Sequence, residues 1–191
     1  MQSIGLTGGI GSGKSTIARI LKTMGFPVYI ADTEASRLID TDPDIRREMQ
    51  THFGNSIYTA NGPLDKVRLA GIIFENPEAL KQVNSIVHPK VIKDFQQWSL
   101  IQQKHPVFFE SAILYEARLE SFFDAVICVT APQEVRLQRV IQRDRTDREK
   151  VGKRMANQLD DSQKCRRSDF IIYNDDQHMV IEQILSLLNK L

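Results

Sequence analysis

The sequence lacks the features that mark exported proteins, membrane-spanning proteins and nucleic-acid-binding proteins. The 191 residues include only two cysteines, Cys128 and Cys165, which lie far apart and belong to no C-x-x-C pair, so we expect two reduced thiols. No apolar run approaches the roughly 20 residues that span a bilayer, and no signal-peptide pattern is present. With 25 basic and 24 acidic side chains, the net charge of +1 selects neither nucleic acid nor a membrane. These absences predict a cytoplasmic protein without a nucleic-acid or membrane partner, and we expect it to be a monomer or a small homo-oligomer.

A glycine-rich stretch, Gly8–Ser15, fits the pattern G-x-x-x-x-G-K-[ST] of a phosphate-binding loop. Such a loop wraps phosphates with backbone N–H groups, which favours residues without Cβ atoms, and a helix starting near Lys14 would add its positive end. We expect Lys14, solvated before ATP binds, to contact the β- and γ-phosphates, and the Ser15 hydroxyl to bind Mg²⁺. The predicted ATP-binding residues of the loop are Gly9, Gly11, Ser12, Gly13, Lys14, Ser15 and Thr16. The alternative is a glycine-rich surface turn.

Apolar runs alternate with helical patterns along the chain, which is typical of an α/β domain with a parallel sheet. Five strands are predicted, at residues 3–7, 27–30, 107–109, 125–129 and 170–173, and helical spacing over 180–188 predicts a C-terminal helix on the sheet. Ligands of such folds bind at the carboxyl ends of the strands. Polar residues follow four of the predicted strands, and we expect them to converge: Thr7, Asp32, Glu110 and Asn174.

About sixty residues separate the second and third predicted strands, too many for a loop. Their pattern predicts helices at roughly 44–53, 64–75 and 77–104, the last of which Pro89 could break, with Gly54 and Asn61-Gly62-Pro63 as punctuation. We interpret residues 39–104 as a helical insertion that supplies a second substrate site. The core of the domain would then comprise residues 1–38, 105–142 and 168–191.

A basic cluster follows the fourth predicted strand. Arg136, Arg139 and Arg143 share a helix face by their i, i+3, i+7 spacing. Phosphoryl transfer needs cations that reach the γ-phosphate when substrates bind, and we assign Arg139 and Arg143 to this role, with a mobile lid at about 143–167 that excludes water. Other basic residues interleave with acidic ones and are interpreted as a salt-bridged surface: Arg145, Arg148 and Lys150.

Phosphate loops occur in GTPases, motor ATPases and small-molecule kinases. The sequence has no D-x-x-G segment, and its one Asn-Lys pair, Asn189-Lys190, cannot form the N-K-x-D of a guanine site. A short chain with a helical insertion and an arginine lid favours phosphoryl transfer to a small molecule. The alternatives are another phosphate-loop kinase, such as one for shikimate or nucleoside monophosphates, and a regulatory nucleotide-binding module without transfer activity.

The order and spacing of several motifs resemble the dephospho-CoA kinase family over nearly the whole chain. The opening Leu6–Ser15 is similar to that of the family, and Val28–Asp32 resembles its V-x-D-A-D. Further similar segments are Ala35-Ser36-Arg37, Gly62–Asp65 with Arg68-Leu69 and Ile73-Phe74, Val87-His88-Pro89, Arg139 with Arg143-Asp144, Arg154 and Gln158, and Ser168–Asn174. The resemblance implies a P-loop kinase fold and MgATP-dependent phosphorylation of the ribose 3′-hydroxyl of dephospho-CoA, the last step of coenzyme A synthesis.

The resemblance also implies roles for single residues. Asp32 would accept the proton of the 3′-hydroxyl, although a helix N-cap is an alternative for it. The residues expected to contact dephospho-CoA are Thr7, Asp32, Arg37, His88 and Glu110, and those expected to contact ATP beyond the loop are Arg143 and Asn174. A helix terminus is the alternative for His88, and a turn for Asn174. Two positions depart from the family pattern, because Ile30 replaces an acid and Ala112 replaces a proline.

Overall fold

Five parallel strands form one sheet in the computed structural model of this protein, which describes residues 2–59 and 62–191. The strands are β1 (Ser3–Thr7), β2 (Val28–Ile30), β3 (Val107–Glu110), β4 (Ala125–Thr130) and β5 (Phe170–Tyr173). Their order is β2-β3-β1-β4-β5, and every pairing is parallel. The predicted α/β fold is therefore confirmed, and each predicted strand agrees with the structure to within one residue at either end.

The hydrophobic core forms around the central strand, β1. Ile4 and Leu6 of this strand are completely buried, as expected for a parallel sheet that has both faces covered. Ile17 and Leu21, one turn apart on α1 (Lys14–Thr23), and Ile184 on α9 (Val180–Leu188) belong to the same core cluster. The sheet and these helices thus fix the position of the loop that connects β1 to α1.

Three helices lie between β4 and β5. They are α6 (Gln133–Asp144), α7 (Arg148–Ala156) and α8 (Asp161–Arg167). Arg145 ends α6 in a left-handed conformation, and Asp147 starts α7 by accepting the Lys150 N–H at 2.8 Å. Asp160 caps α8 in the same manner through the Ser162 N–H. The lid predicted at 143–167 covers α7, α8 and the turns beside them.

Four α-helices lie between β2 and β3 in the described residues, beside a short 3₁₀ helix at Asn55–Ile57, and residues 31–100 form a compact unit of their own. The α-helices are α2 (Ala31–Thr41), α3 (Pro43–Phe53), α4 (Lys66–Glu75) and α5 (Pro77–Leu100). The other compact unit comprises the chain up to Ile30 together with Ile101–Leu191. Asn61 of the predicted turn lies outside the described residues. Helix α4 begins two residues later than predicted because Asp65 caps it by accepting the Arg68 N–H.

Helix α5 is continuous across Pro89, where the sequence suggested a break, and it ends at Leu100 rather than at residue 104. Proline removes one N–H from the helix ladder, but buried residues on both sides of it, including Val83, Val87 and Val91, keep the helix packed. Within residues 2–59 and 62–191, no helix combines the length and the apolar character that crossing a membrane requires.

The two cysteines, expected to be separate thiols, are in contact. Cys128 on β4 and Cys165 on α8 are free thiols whose Sγ atoms lie 3.2 Å apart. Burial raises the pKa of the Cys128 thiol well above its usual range, so this group stays protonated and is a poor nucleophile. The sequence separation of the two residues did not reveal that α8 would pack against β4.

Candidate active site

The phosphate loop between β1 and α1 adopts a conformation that requires glycine. Gly11 and Gly13 have φ angles of 80° and 93°, in the left-handed region that side chains disfavour. Both are also closely packed, because an added Cβ would overlap the carbonyl oxygen of Arg136 at Gly11 and the side-chain amide of Asn174 at Gly13. Glycine is therefore needed at both positions, because it permits the positive φ angle and leaves room for the neighbouring atoms.

A cavity of about 250 Å³ lies against the loop and is lined by two distant parts of the chain. Its lining residues are Gly11, Gly13, Lys14, Ser15, Thr16 and Arg19 from the loop and α1, and Arg139, Val140 and Arg143 from α6. Because α1 begins at Lys14, the positive end of this helix lies at the cavity. The arrangement suits a polyphosphate. Arg19 was missed, since its position in α1 looked like an ordinary exposed helix face.

The lysine of the loop is more enclosed than predicted. Only 8% of the surface of Lys14 is exposed, whereas we expected a solvated side chain. Lys14 lines the cavity together with Arg139 and Arg143 of α6. A substitution of Lys14 therefore changes packing as well as charge.

Arg139 lies at the cavity and makes two further contacts. Its Nη1 donates to the carbonyl oxygen of Asn174 at 2.8 Å, and its Nη2 donates to Asp176 Oδ1 at 2.9 Å. The planar guanidinium is suited to two acceptors at fixed separation. In this structure, the loop after β5 thus holds the arginine that the sequence assigned to the γ-phosphate.

Arg143 belongs to a small ionic network at the end of α6. Its Nε and Nη2 donate to the two carboxylate oxygens of Asp144, and Arg154 of α7 donates to Asp144 Oδ2 at 2.5 Å. Hydrogen bonds from Arg143 and then Arg154 hold the pKa of Asp144 well below its usual range. A permanently ionised carboxylate therefore links the predicted ATP contact on α6 to α7.

Arg136 differs from the two arginines that share its predicted helix face. Its Nε donates to the Ala131 carbonyl at 3.0 Å, and its Nη1 lies 3.5 Å from Asp161 Oδ1. Only 12% of its side chain is exposed. The guanidinium of Arg136 is thus occupied by contacts within the protein, whereas Arg139 and Arg143 line the cavity.

Asn174 contacts the loop directly. Its Nδ2 donates to the Ser12 carbonyl at 2.9 Å, while its own carbonyl accepts from Arg139. The predicted contact between Asn174 and ATP would have to be made in addition to these bonds.

Thr7 and Glu110 end neighbouring strands, as predicted. Leu6 is paired with Glu110 in the β1–β3 register, and both Thr7 and Glu110 are buried. Within residues 2–59 and 62–191, neither Thr7 Oγ1 nor Ser12 Oγ has a hydrogen-bond partner, although both are buried. Buried hydroxyls without partners are costly, so they mark a place where a polar ligand would be favourable.

Asp32 lies in the other compact unit, two residues beyond β2. Helix α2 begins at Ala31, so Asp32 is in its first turn and is not the N-cap that the alternative required. The side chain is exposed and lies at the N-terminal end of α2. An exposed carboxylate of this kind can accept a proton from a substrate.

Arg37 and His88 also lie in the unit formed by residues 31–100. Arg37 is held by two carboxylates, Glu34 at 2.5 Å and Asp94 at 2.7 Å. These hydrogen bonds raise the pKa of Arg37 and fix the position of its guanidinium group. Burial lowers the pKa of His88, which therefore favours the neutral imidazole, inside α5 rather than at a helix terminus.

The donor groups fit Mg²⁺ held largely by phosphates. Among the described residues, no group of three or more His, Cys, Asp or Glu side chains could form a metal cage. Mg²⁺ usually takes one or two protein ligands together with water and substrate phosphates. Ser15, at the cavity on the first turn of α1, is suitably placed for this role.

Two further residues contact the loop, and the sequence analysis gave neither a role in the site. Gln158 Oε1 accepts the Ile10 N–H at 2.8 Å, and Asp161 Oδ1 accepts the Gly9 N–H at 3.0 Å. They lie 148 and 152 residues beyond the groups that they contact, so no local pattern could reveal them.

Comparisons with known proteins agree with this geometry. A family model described as dephospho-CoA kinase matches residues 2–179. A dephospho-CoA kinase from Bacteroides fragilis is 40% identical over 186 residues, which cover 97% of this chain and 90% of the relative. A crystal structure from Thermus thermophilus has a TM-score of 0.86 at 32% identity, and a dephospho-CoA kinase from Campylobacter jejuni has a TM-score of 0.72 at 26% identity. Both structural matches cover 100% of this chain and 97% of the other.

Proposed function

Because the chain belongs to the dephospho-CoA kinase family, we propose that it transfers the γ-phosphoryl group of ATP to the ribose 3′-hydroxyl of dephospho-CoA, giving coenzyme A and ADP. The observation that carries the proposal is the cavity that Lys14 and Ser15 share with Arg139 and Arg143. Phosphoryl transfer depends on positioning and on charge stabilisation, and this cavity supplies cations and helix N–H groups together.

On the donor side, Lys14 and the N-terminal N–H groups of α1 bind the β- and γ-phosphates. Arg139 and Arg143 stabilise the charge that spreads over the transferring group. Mg²⁺, bound with ATP, neutralises phosphate charge, and the Ser15 hydroxyl is the protein group that we propose as its ligand. The remaining ATP contacts are assigned to Gly9, Gly11, Ser12, Gly13, Thr16 and Asn174.

On the acceptor side, Asp32 accepts the proton of the 3′-hydroxyl as its oxygen attacks phosphorus. Its exposure at the start of α2 leaves it accessible to a substrate hydroxyl. Arg37 binds an anionic part of dephospho-CoA, and Thr7, His88 and Glu110 complete the acceptor contacts. Ile30 leaves Asp32 as the one acid of this segment in the base role.

We further propose that the protein works in the cytoplasm, where ATP is available and thiols such as Cys128 and Cys165 remain reduced. We also propose that it acts as a monomer or a small homo-oligomer. Residues 39–104 are proposed as the acceptor-binding insertion and 143–167 as the lid.

The test is ATP-dependent ADP release with a panel of acceptors: dephospho-CoA, its 3′-deoxy analogue, shikimate and AMP. We expect release with dephospho-CoA alone, and a phosphorylated product by mass spectrometry. Transfer to shikimate or AMP instead would favour another phosphate-loop kinase. ATP binding without transfer to any acceptor would favour a regulatory module.

A further inference from the structure

The first half of the phosphate loop is held from outside the loop. Between β1 and α1, the loop has a backbone hydrogen bond from the Ser12 N–H to the Gly9 carbonyl at 3.1 Å. The Gly9 and Ile10 N–H groups donate instead to Asp161 and Gln158. A glycine-rich segment loses much conformational entropy on ordering, so side-chain contacts of this kind strongly affect how often it is ordered.

Asp161 is built into the fold as an acceptor. It is 9% exposed, and while one carboxylate oxygen accepts the Gly9 N–H, the other accepts the Thr130 hydroxyl at the end of β4. Arg136 lies beside it, with Nη1 3.5 Å from Oδ1. A buried carboxylate with these partners is a strong and fixed hydrogen-bond acceptor.

The segment that carries Gln158 and Asp161 is itself fastened to the chain beyond β3. Glu116 Oε1 accepts the Leu159 N–H at 2.8 Å and lies 2.7 Å from the Lys164 Nζ. Lys164 is completely buried and also donates to the Ala112 carbonyl at 2.6 Å. Although this segment lies within the proposed lid, the contacts tie its end, from Leu159 to Lys164, to the chain beyond β3.

We propose that Gln158 and Asp161 are positioning residues that keep Gly9 and Ile10 in the conformation in which the loop binds phosphate. The inference deepens the proposed function and rests on its assignment of ATP to this loop. When only a fraction of molecules has the competent loop, the apparent affinity for nucleotide falls by that fraction. The effect should therefore appear in ATP and ADP binding and leave binding of dephospho-CoA unchanged.

The experiment measures ATP and ADP affinity by calorimetry, together with kcat, both KM values and the melting temperature, for Asp161→Ala, Asp161→Asn and Gln158→Ala. For Asp161→Ala, which loses a charged acceptor, we expect nucleotide affinity to fall on the order of 10- to 100-fold. For Gln158→Ala, which loses a neutral acceptor, about 3- to 10-fold is expected. Asp161→Asn retains an acceptor for the Gly9 N–H and should recover part of the loss.

Two control variants share the segment but do not touch the loop. Asp160→Ala removes the cap of α8, and Gln163→Ala removes an exposed side chain of the same helix. Both should leave ATP affinity unchanged, even where Asp160→Ala lowers the melting temperature. Gln158→Ala is the least disruptive change, so it tests the proposal even where Asp161→Ala fails to fold.

Unchanged ATP affinity in folded Gln158→Ala and Asp161→Asn would overturn the proposal, as would an equal loss in the Asp160→Ala control. A wild-type protein that bound no ATP would overturn the proposed function as well. A wild-type protein that bound ATP while all variants bound it equally well would overturn the positioning role alone.

Discussion

Arg139 lines the cavity, and its guanidinium donates hydrogen bonds to both Asn174 and Asp176, which few other side chains could do. We predict that Arg139→Ala lowers kcat by roughly 10³-fold or more, as for other cations at a transferring phosphoryl group. Arg139→Lys should restore part of the rate, since an ammonium keeps the charge but loses the planar fork. Steady-state ADP release measures both.

Arg148→Ala is the matched control for Arg139. Arg148 is exposed and pairs with Glu134 through both of its Nη atoms, so its loss should affect neither kcat nor the melting temperature appreciably. An essential Arg148 beside a dispensable Arg139 would contradict the assignment of the catalytic cation.

Asp32 gives a second prediction for a single residue. Asp32→Asn keeps the size and exposure of the side chain but removes its basicity, so kcat should fall roughly 10²- to 10⁴-fold with little change in ATP affinity. The neighbouring exposed residue provides a control, and Thr33→Ala should behave as wild type. A collapse of ATP affinity with unchanged kcat would instead assign Asp32 to the metal or to structure.

The chemistry of the loop could be predicted from the sequence, because Gly11, Gly13 and Lys14 follow a local pattern with a physical basis. Contacts across long separations could not. Arg136 has the helical spacing of Arg139, yet its environment depends on Asp161, a residue that no periodicity connects to it. The burial of Lys14 is equally a property of the assembled cavity and not of the motif.

Helix α5 provides a prediction at the scale of an element. Burial lowers the pKa of His88 below its ordinary value of about 6.5, so the unfolded chain takes up this proton at a higher pH than the folded chain. His88 therefore stabilises the fold fully above about pH 6.5 and progressively less as the pH falls. Urea unfolding at several pH values should show a shallower decline for His88→Gln than for wild type. Parallel curves for the two proteins would show that His88 does not couple folding to pH here.

The elements themselves were largely predictable. The strands follow short apolar runs, and α9 follows its apolar spacing, so both agree with the structure. The continuity of α5 could not be predicted, because proline usually breaks a helix. In the structure, the packing of the buried Val87 and Val91 keeps the helix continuous across Pro89. The contact between Cys128 and Cys165 depends on how α8 packs, which a one-dimensional pattern does not contain.

For the whole molecule, the division into two compact units predicts that the two substrates protect different parts of the chain. The proposed ATP ligands, from Gly9 to Asn174, lie outside residues 31–100, as do two of the proposed acceptor contacts, Thr7 and Glu110, while Asp32, Arg37 and His88 lie within them. Hydrogen exchange with ATP alone should slow amides of the phosphate loop and α6, and dephospho-CoA alone should slow amides of α2 and α5. Identical protection patterns for both ligands would contradict the assignment of the two substrates to different parts of the chain.

The strand order has a consequence for synthesis on the ribosome. Strand β1 lies at the centre of the sheet, but its partners, β3 and β4, begin at Val107 and Ala125. At a translation rate of roughly 5–20 residues per second, about 5–20 s pass between the synthesis of β1 and that of the first strand that pairs with it. Residues 31–100 are contiguous and can fold during that interval. The nascent chain should therefore acquire its helical unit first and its capacity to bind nucleotide only after Asp161 has emerged from the exit tunnel.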